Sequence, residues 1–344
     1  MQRVLIVGLG LIGGSVGLAL RRWSEEHKVD NRKPLEVVGF DPNLDHQRAA
    51  EKMGAVDRGA WDLAKAARDA DVVVLAMPVA AMREAMADLA PQLKPGVVVT
   101  DTGSTKAQVL EWAREVLPSG VHFVGGHPMA GKTQSIEGAE ADLFAGATWC
   151  IAPSVSASEE SVRTVLGLVA AAGAEPYFVD PHEHDAYVAG VSHLPFAISA
   201  ALMNAVSRDV SWREMKQLTA GGFRDTTRLA SGSPTMHRDI LVTNRDAVLR
   251  WLDAVSASLS ELRADLASEA PDAGEKLESF FTEARDARAD WATQTTREGE
   301  LLQGTAAELS PESVSDHMGR MFLGGFAKKL RQPASRGSSS DKGQ

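Results

Sequence analysis

Short apolar runs alternate with longer helical patterns along the first half of the chain. Arg3–Val7, Glu36–Phe40, Val72–Ala76 and Val97–Thr100 are compact, largely β-branched runs, and His122–Val124 and Trp149–Ile151 are shorter ones. Between them the spacing of apolar positions predicts helices at Ser15–Trp23, Ala80–Leu89 and Lys106–Val116, and later at Ser161–Ala172, before a last strand at Tyr177–Val179. Strands apolar on both faces and separated by helices imply a doubly wound, mostly parallel sheet of the Rossmann type.

Beyond about Asp180 strand-like runs nearly vanish. Helical periodicity continues through Ala186–Val206, Trp212–Thr219, Ala247–Ala267 and Lys276–Arg297, predicting an all-helical second domain. The long apolar helix Ala186–Val206 is expected to be buried, in a domain that closes one side of a cleft and dimerises. The organisation read from the pattern is an α/β domain over 1–181, a helical domain over 182–300, and a segment 301–344. That last segment carries one further helix at Met318–Leu330 and a tail from Gln332 rich in Ser, Gly and charge, expected to be disordered. No apolar run is expected to span a membrane, and the first residues lack the basic stretch of a signal peptide. A cytoplasmic protein is the expectation.

The net charge of −10 argues against a nucleic-acid partner, which would call for a basic face. Cys150 is the single cysteine, so neither an intrachain disulfide nor a cysteine zinc site exists. Its place in a strand reads as a small buried apolar residue. No metal site is expected.

Gly8-Leu9-Gly10-Leu11-Ile12-Gly13-Gly14 follows the first strand and opens the first helix. In that context Gly8 permits a tight turn, Gly10 lets backbone approach a pyrophosphate, and Gly13 brings the helix close to the sheet. Asp41, ending the second strand, can accept hydrogen bonds from both ribose hydroxyls. Its carboxylate repels a 2′-phosphate and no Arg follows in the next few residues, which favours NAD over NADP. Met77 and Pro78 end the third strand, at the edge where such sheets bind ligands.

Two polar loops follow later strands, Asp101-Thr102-Gly103-Ser104-Thr105-Lys106 and Gly125-Gly126-His127-Pro128-Met129-Ala130-Gly131. A histidine at a strand's carboxyl end beside a cofactor suits a general base. Ser192-His193-Leu194-Pro195 interrupts the long apolar helix, and a cleft would provide partners for its polar side chains. Gly222-Phe223-Arg224-Asp225-Thr226-Thr227-Arg228 offers a guanidinium fork for a carboxylate.

Taken in order over roughly residues 1–265, these motifs resemble the prephenate/arogenate dehydrogenase family. The resemblance implies a Rossmann domain with a helical dimerisation domain, and NAD-dependent oxidative decarboxylation of prephenate, with arogenate the alternative substrate. It implies that His127 takes the proton of the ring hydroxyl and that Ser104 orients His127 or shares that hydroxyl. Arg228 would hold a substrate carboxylate, with Ser192, His193, Gly222 and Asp225 at the substrate side. Phe196 stands where many prephenate-specific members have a second His, and Thr133 where an acidic residue is common. No regulatory domain or mutase bundle is expected. The competing readings are a β-hydroxyacid dehydrogenase, for which Lys216 would be the catalytic lysine, and a non-catalytic NAD-binding protein.

Overall fold

The computed structural model describes residues 2–29 and 34–308, with side chains as far as Thr293. Eight strands form one sheet: β1 (Gln2–Val7), β2 (Leu35–Phe40), β3 (Arg58–Gly59), β4 (Val72–Leu75), β5 (Val98–Asp101), β6 (His122–Pro128), β7 (Thr148–Pro153) and β8 (Glu175–Phe178). Their order is β3-β2-β1-β4-β5-β6-β7-β8. All neighbours are parallel except β6 and β7, which run antiparallel with His127 opposite Cys150. The order reverses direction between β1 and β4, which opens a crevice at the carboxyl ends of those strands.

Six helices connect the strands: α1 (Leu11–Glu26), α2 (Leu44–Lys52), α3 (Leu63–Asp69), α4 (Val79–Leu89), α5 (Ala107–Val116) and α6 (Glu159–Ala171). Strand residues Leu5, Val7, Val73, Leu75 and Val99 are buried against Met82, Met86 and Leu89 of α4 and Val109 of α5. At about 1.5–3 kcal/mol for each large aliphatic side chain buried, this layer fixes the strand ends that carry the site. The two-residue β3 and helices α2 and α3 were not expected. Each is too short, or too polar, to leave a periodic signature.

The helical half comprises α7 (Pro181–Val188), α8 (Leu194–Ser207), α9 (Trp212–Met215), α10 (Gly221–Thr227), α11 (Pro234–Thr243), α12 (Arg245–Leu266) and α13 (Ala273–Glu308). Met1–Ala289 form one compact unit, which contains everything described below.

Two expectations are corrected here. The single helix Ala186–Val206 is broken by a π-helical turn at Ala189–His193. Pro195 lies in the first turn of α8 and has no N–H to give to the preceding turn, an interruption that the widened turn accommodates. Nor is the helix fully buried, since only Leu194, Phe196 and Ser199 of α8 are. Finally, the stretch Pro181–Ser207 is long and apolar enough, by length and composition, to cross a membrane. However, its buried His184, Asp185 and His193 are bonded to other elements of this unit, as in a packed helix. The predicted helix at Met318–Leu330 and the tail from Gln332 lie outside the described residues.

Candidate active site

The glycine loop between β1 and α1 is built for an anion. Gly8 has φ +98°, and a Cβ there would come within 2.5 Å of the Ala76 carbonyl oxygen. A Cβ on Gly13 would strike the Gly8 carbonyl at 1.9 Å, whereas one on Gly10 would meet nothing within 4 Å. The loop is therefore packed tightly on the sheet side and open at Gly10. No side chain caps α1 and no acidic residue lies in its first turn, so its N–H groups are available to a phosphate. Asp41 is buried and accepts from the backbone N–H of Leu9 (2.7 Å) and of Asn43 (2.8 Å). A carboxylate has lone pairs beyond those two, so ribose hydroxyls can still be received. Leu9 itself is fully buried and serves through its N–H. These residues fit a dinucleotide.

A cavity of about 720 Å³ runs from this loop along the strand ends to the helical half. Gly10, Leu11, Ile12, Met77 and Pro78 wall it at one end, Ser104 and His127 in the middle, and Ser192, Phe196, Arg228 and His237 at the other.

His127, at the end of β6, is held from behind by a chain the sequence did not reveal. Its Nδ1 lies 2.9 Å from Nε2 of His184, whose Nδ1 lies 2.8 Å from Oδ1 of Asp185. The Asp185 carboxylate also accepts the N–H groups of Lys106 (2.7 Å) and Ala107 (3.0 Å) at the start of α5. An ionised carboxylate only accepts, so His184 carries its proton on Nδ1 and, when neutral, presents a bare Nε2. His127 must then donate from Nδ1, which leaves the lone pair on its own Nε2 for the cavity. Burial pushes the His127 pKa well below the usual histidine value, with His184, Lys106 and His193 adding to the effect. Neutral imidazole is therefore the resting state at physiological pH.

Beneath it, Lys106 and Asp101 form a fully buried ion pair. The same carboxylate accepts from the N–H groups of Gly103 (2.8 Å) and Gly126 (3.1 Å). Asp101 thus ties the Ser104 loop to the residue preceding His127. Ser104 lines the cavity, but no Ser104–His127 hydrogen bond occurs among the described residues. The side chain bonded to His127 is that of His184, not of Ser104.

Ser192 and Arg228 face the cavity as expected, and Arg228 has no ion-pair partner among the described residues. His193, Gly222 and Asp225 do not line it. His193 is fully buried, with Nδ1 3.2 Å from Asn244, and burial lowers its pKa to about 4. Gly222 and Asp225 sit exposed on α10, where a Cβ on Gly222 would meet nothing within 4 Å. The resemblance put them at the substrate side, and on α10 they face away from the cavity. Among the described residues no group of His, Cys, Asp or Glu side chains is arranged to hold a metal.

Comparison with known proteins separates this arrangement from other two-domain dehydrogenases. The family model for "prephenate dehydrogenase, nucleotide-binding domain" matches residues 16–177, and that for "prephenate dehydrogenase, dimerization domain" matches residues 180–283. The chain belongs to the prephenate dehydrogenase family. Prephenate dehydrogenase of Bacillus subtilis (strain 168) is 34% identical over 288 residues, 83% of this chain and 75% of that protein. Cyclohexadienyl dehydrogenase of Zymomonas mobilis is 31% identical, covering 83% of this chain and 95% of its own. Among solved structures, prephenate dehydrogenase from A. aeolicus in complex with hydroxyphenyl propionate and NAD+ superposes with a TM-score of 0.75. It is 30% identical, and the match covers 84% of this chain and 98% of that one. Within the prephenate dehydrogenase frame, the motifs read from sequence supply Ser104, His127, Ser192 and Arg228 to the cavity wall, whereas His237 on the same wall belonged to none of them. Of the groups behind them, Asp101 and Lys106 bracket a polar loop read from sequence without any sign that they pair, and His184 and Asp185 belonged to no motif.

Proposed function

We propose that this chain is an NAD-dependent prephenate dehydrogenase, converting prephenate to 4-hydroxyphenylpyruvate and CO2. The observation that carries the substrate is the character of the cavity wall. Its titratable side chains are His127, Lys132, Arg228 and His237, and among the described residues no Asp or Glu lines it. Lys132 is paired with Glu140 at 2.7 Å, which leaves Arg228 as the unpaired cation. Such a wall suits a dicarboxylate. Arogenate would bring an ammonium group with no carboxylate to receive it, and burying an unpaired charge is costly.

NAD, held by the Gly8–Gly13 loop and Asp41, supplies the hydride acceptor. His127 Nε2 accepts the proton of the ring hydroxyl as hydride leaves the same carbon, and the carbon–oxygen bond becomes a carbonyl. The ring carboxylate then departs as CO2. The electron pair of its broken bond flows through the ring to the oxygen, which regains a proton from His127. The protein's tasks are to hold a neutral base at the hydroxyl, to place the carbon against the cofactor and to anchor a carboxylate on Arg228. Asp185, through His184, keeps the His127 lone pair aimed at the cavity during both transfers.

In this reading residues 1–181 hold the cofactor and 182–300 close over the substrate and pair two chains into a homodimer in the cytoplasm. The test is NADH formation with prephenate and with arogenate, each offered NAD and NADP. Turnover of prephenate with NAD is expected to dominate, and no NADH from either acid would overturn the reading.

A further inference from the structure

The far end of the cavity contains a histidine that the mechanism above does not use. His237, on α11, stacks on Phe196 of α8 with ring centroids 4.1 Å apart and planes 4° from parallel. Gly232 closes on the edge of its ring, where a Cβ would lie 2.7 Å from both Cε1 and Nε2. Phe196 is itself buried and packs against His193, ring centroids 6.0 Å apart. The imidazole is thus clamped by an aromatic face and a glycine, on a wall it shares with Arg228 and Ser192. Its ring nitrogens make no hydrogen bond among the described residues, and burial alone lowers its pKa. A ring needed only for packing would not require nitrogens here, since another aromatic would fill the same space.

We propose that His237 is a substrate-binding residue, donating an N–H to the carboxylate on the side chain of prephenate, with Phe196 as its backing. This rests on the function proposed above. The substrate carries two carboxylates and a hydroxyl at opposite ends of one ring. His127 meets the hydroxyl and Arg228 one carboxylate, and His237, on the wall beside Arg228 and Ser192, is placed to meet the second. A neutral imidazole has one N–H to give, and stacking fixes its plane, so little rotational freedom is lost on binding.

The test compares His237→Ala, His237→Phe and His237→Gln with the unmodified full chain, using both turnover and inhibition. Phe keeps the stack and removes the donor, whereas Gln keeps a donor. Both Ala and Phe are expected to raise KM for prephenate about ten-fold or more, the scale of a lost hydrogen bond to a charged group. The expectation for kcat is a change within about three-fold, with KM for NAD and the melting temperature near those of the unmodified chain; Gln should recover much of the loss. Inhibition by 3-(4-hydroxyphenyl)propionate, which has the side-chain carboxylate, should weaken in parallel. Inhibition by 4-ethylphenol, which lacks it, should not change. If His237→Phe binds prephenate and the propionate as tightly as the unmodified chain, the ring serves stacking alone and the proposal fails. Equal weakening for 4-ethylphenol also overturns it, because the effect would then not concern the carboxylate. Failure of the unmodified chain to oxidise prephenate would instead sink the functional reading, while calorimetric binding of the propionate and of 4-ethylphenol to the same variants still reports on His237.

Discussion

His127 works as a base only if its lone pair faces the cavity, and that is decided by side chains behind it. Replacing it by Asn keeps a polar group but removes the proton acceptor, and kcat is expected to fall by about 10²–10⁴ with NAD binding near normal; unaltered turnover would dismiss the role. Because burial holds its pKa well below the usual value, the acidic limb of the kcat/KM profile should lie below pH 6.5. The base is competent above its own pKa and fails as pH falls through it. His184 is the second cause of that depression, so His184→Ala should shift the limb upward as well as lower kcat. His193 provides a separate pH effect, on stability. Its folded pKa of about 4 lies below the ordinary 6.5, so the unfolded chain takes up the proton first on acidification. The stability this buried neutral ring contributes is complete above pH 6.5 and is lost as pH falls toward 4, by about 3 kcal/mol. Melting temperatures measured across that range should fall less steeply for His193→Gln. At this scale the sequence was informative where a residue meets the cavity, as with His127, Ser104, Ser192 and Arg228. It was silent on His184 and Asp185, whose partners lie 57 and 79 residues away and whose adjacency at a helix start looks ordinary.

The elements show the same division. Alternating apolar runs made β1, β2, β4 and β5 legible to within about a residue or two, because a strand buried on both faces leaves little choice of side chain. The π-turn Ala189–His193 was not legible, as a widened turn and an ordinary kink at Pro195 demand the same residues nearby. Its shape depends on a contact with a different helix. A Cβ on Gly190 would come within 2.7 Å of the Trp251 ring on α12, so only glycine lets the two helices approach. Gly190→Ala is expected to cost about 1–3 kcal/mol, as overpacking does, and to displace Ser192 at the cavity wall. Thermal unfolding together with KM for prephenate checks this. A variant as stable as the parent, with the same KM, would show that the turn does not depend on Gly190. The corresponding link between the two halves is polar, with Thr105 bonded to Thr243 at 3.0 Å and the Lys106 N–H donating to the Asp185 carboxylate at 2.7 Å. The helical half thereby holds the base assembly in register with the sheet.

For the whole molecule, the question is why so much of the helical half is apolar yet uncovered in a single chain. On α12, Leu252, Val255, Leu259, Leu262 and Leu266 recur at alternating spacings of three and four, the period of one helix face. None of them is buried, and Leu259 and Leu266 are 61% and 72% exposed. Val210, Leu218 and Phe281 add further exposed apolar area in the same half. A monomer rarely leaves contiguous apolar surface of this kind in water, and these residues all lie in the stretch matched by the family's dimerisation domain. A second copy of the chain covers such a stripe with the same side chains it presents, as a two-fold interface requires. Sedimentation should therefore give twice the chain mass of 36.7 kDa at micromolar concentration. Leu259→Glu places a charge in the middle of the stripe, where burial without a partner is costly, and is expected to shift the equilibrium toward monomer and lower the melting temperature. If Leu259→Glu sediments as the parent does, the stripe on α12 is not where the two chains meet.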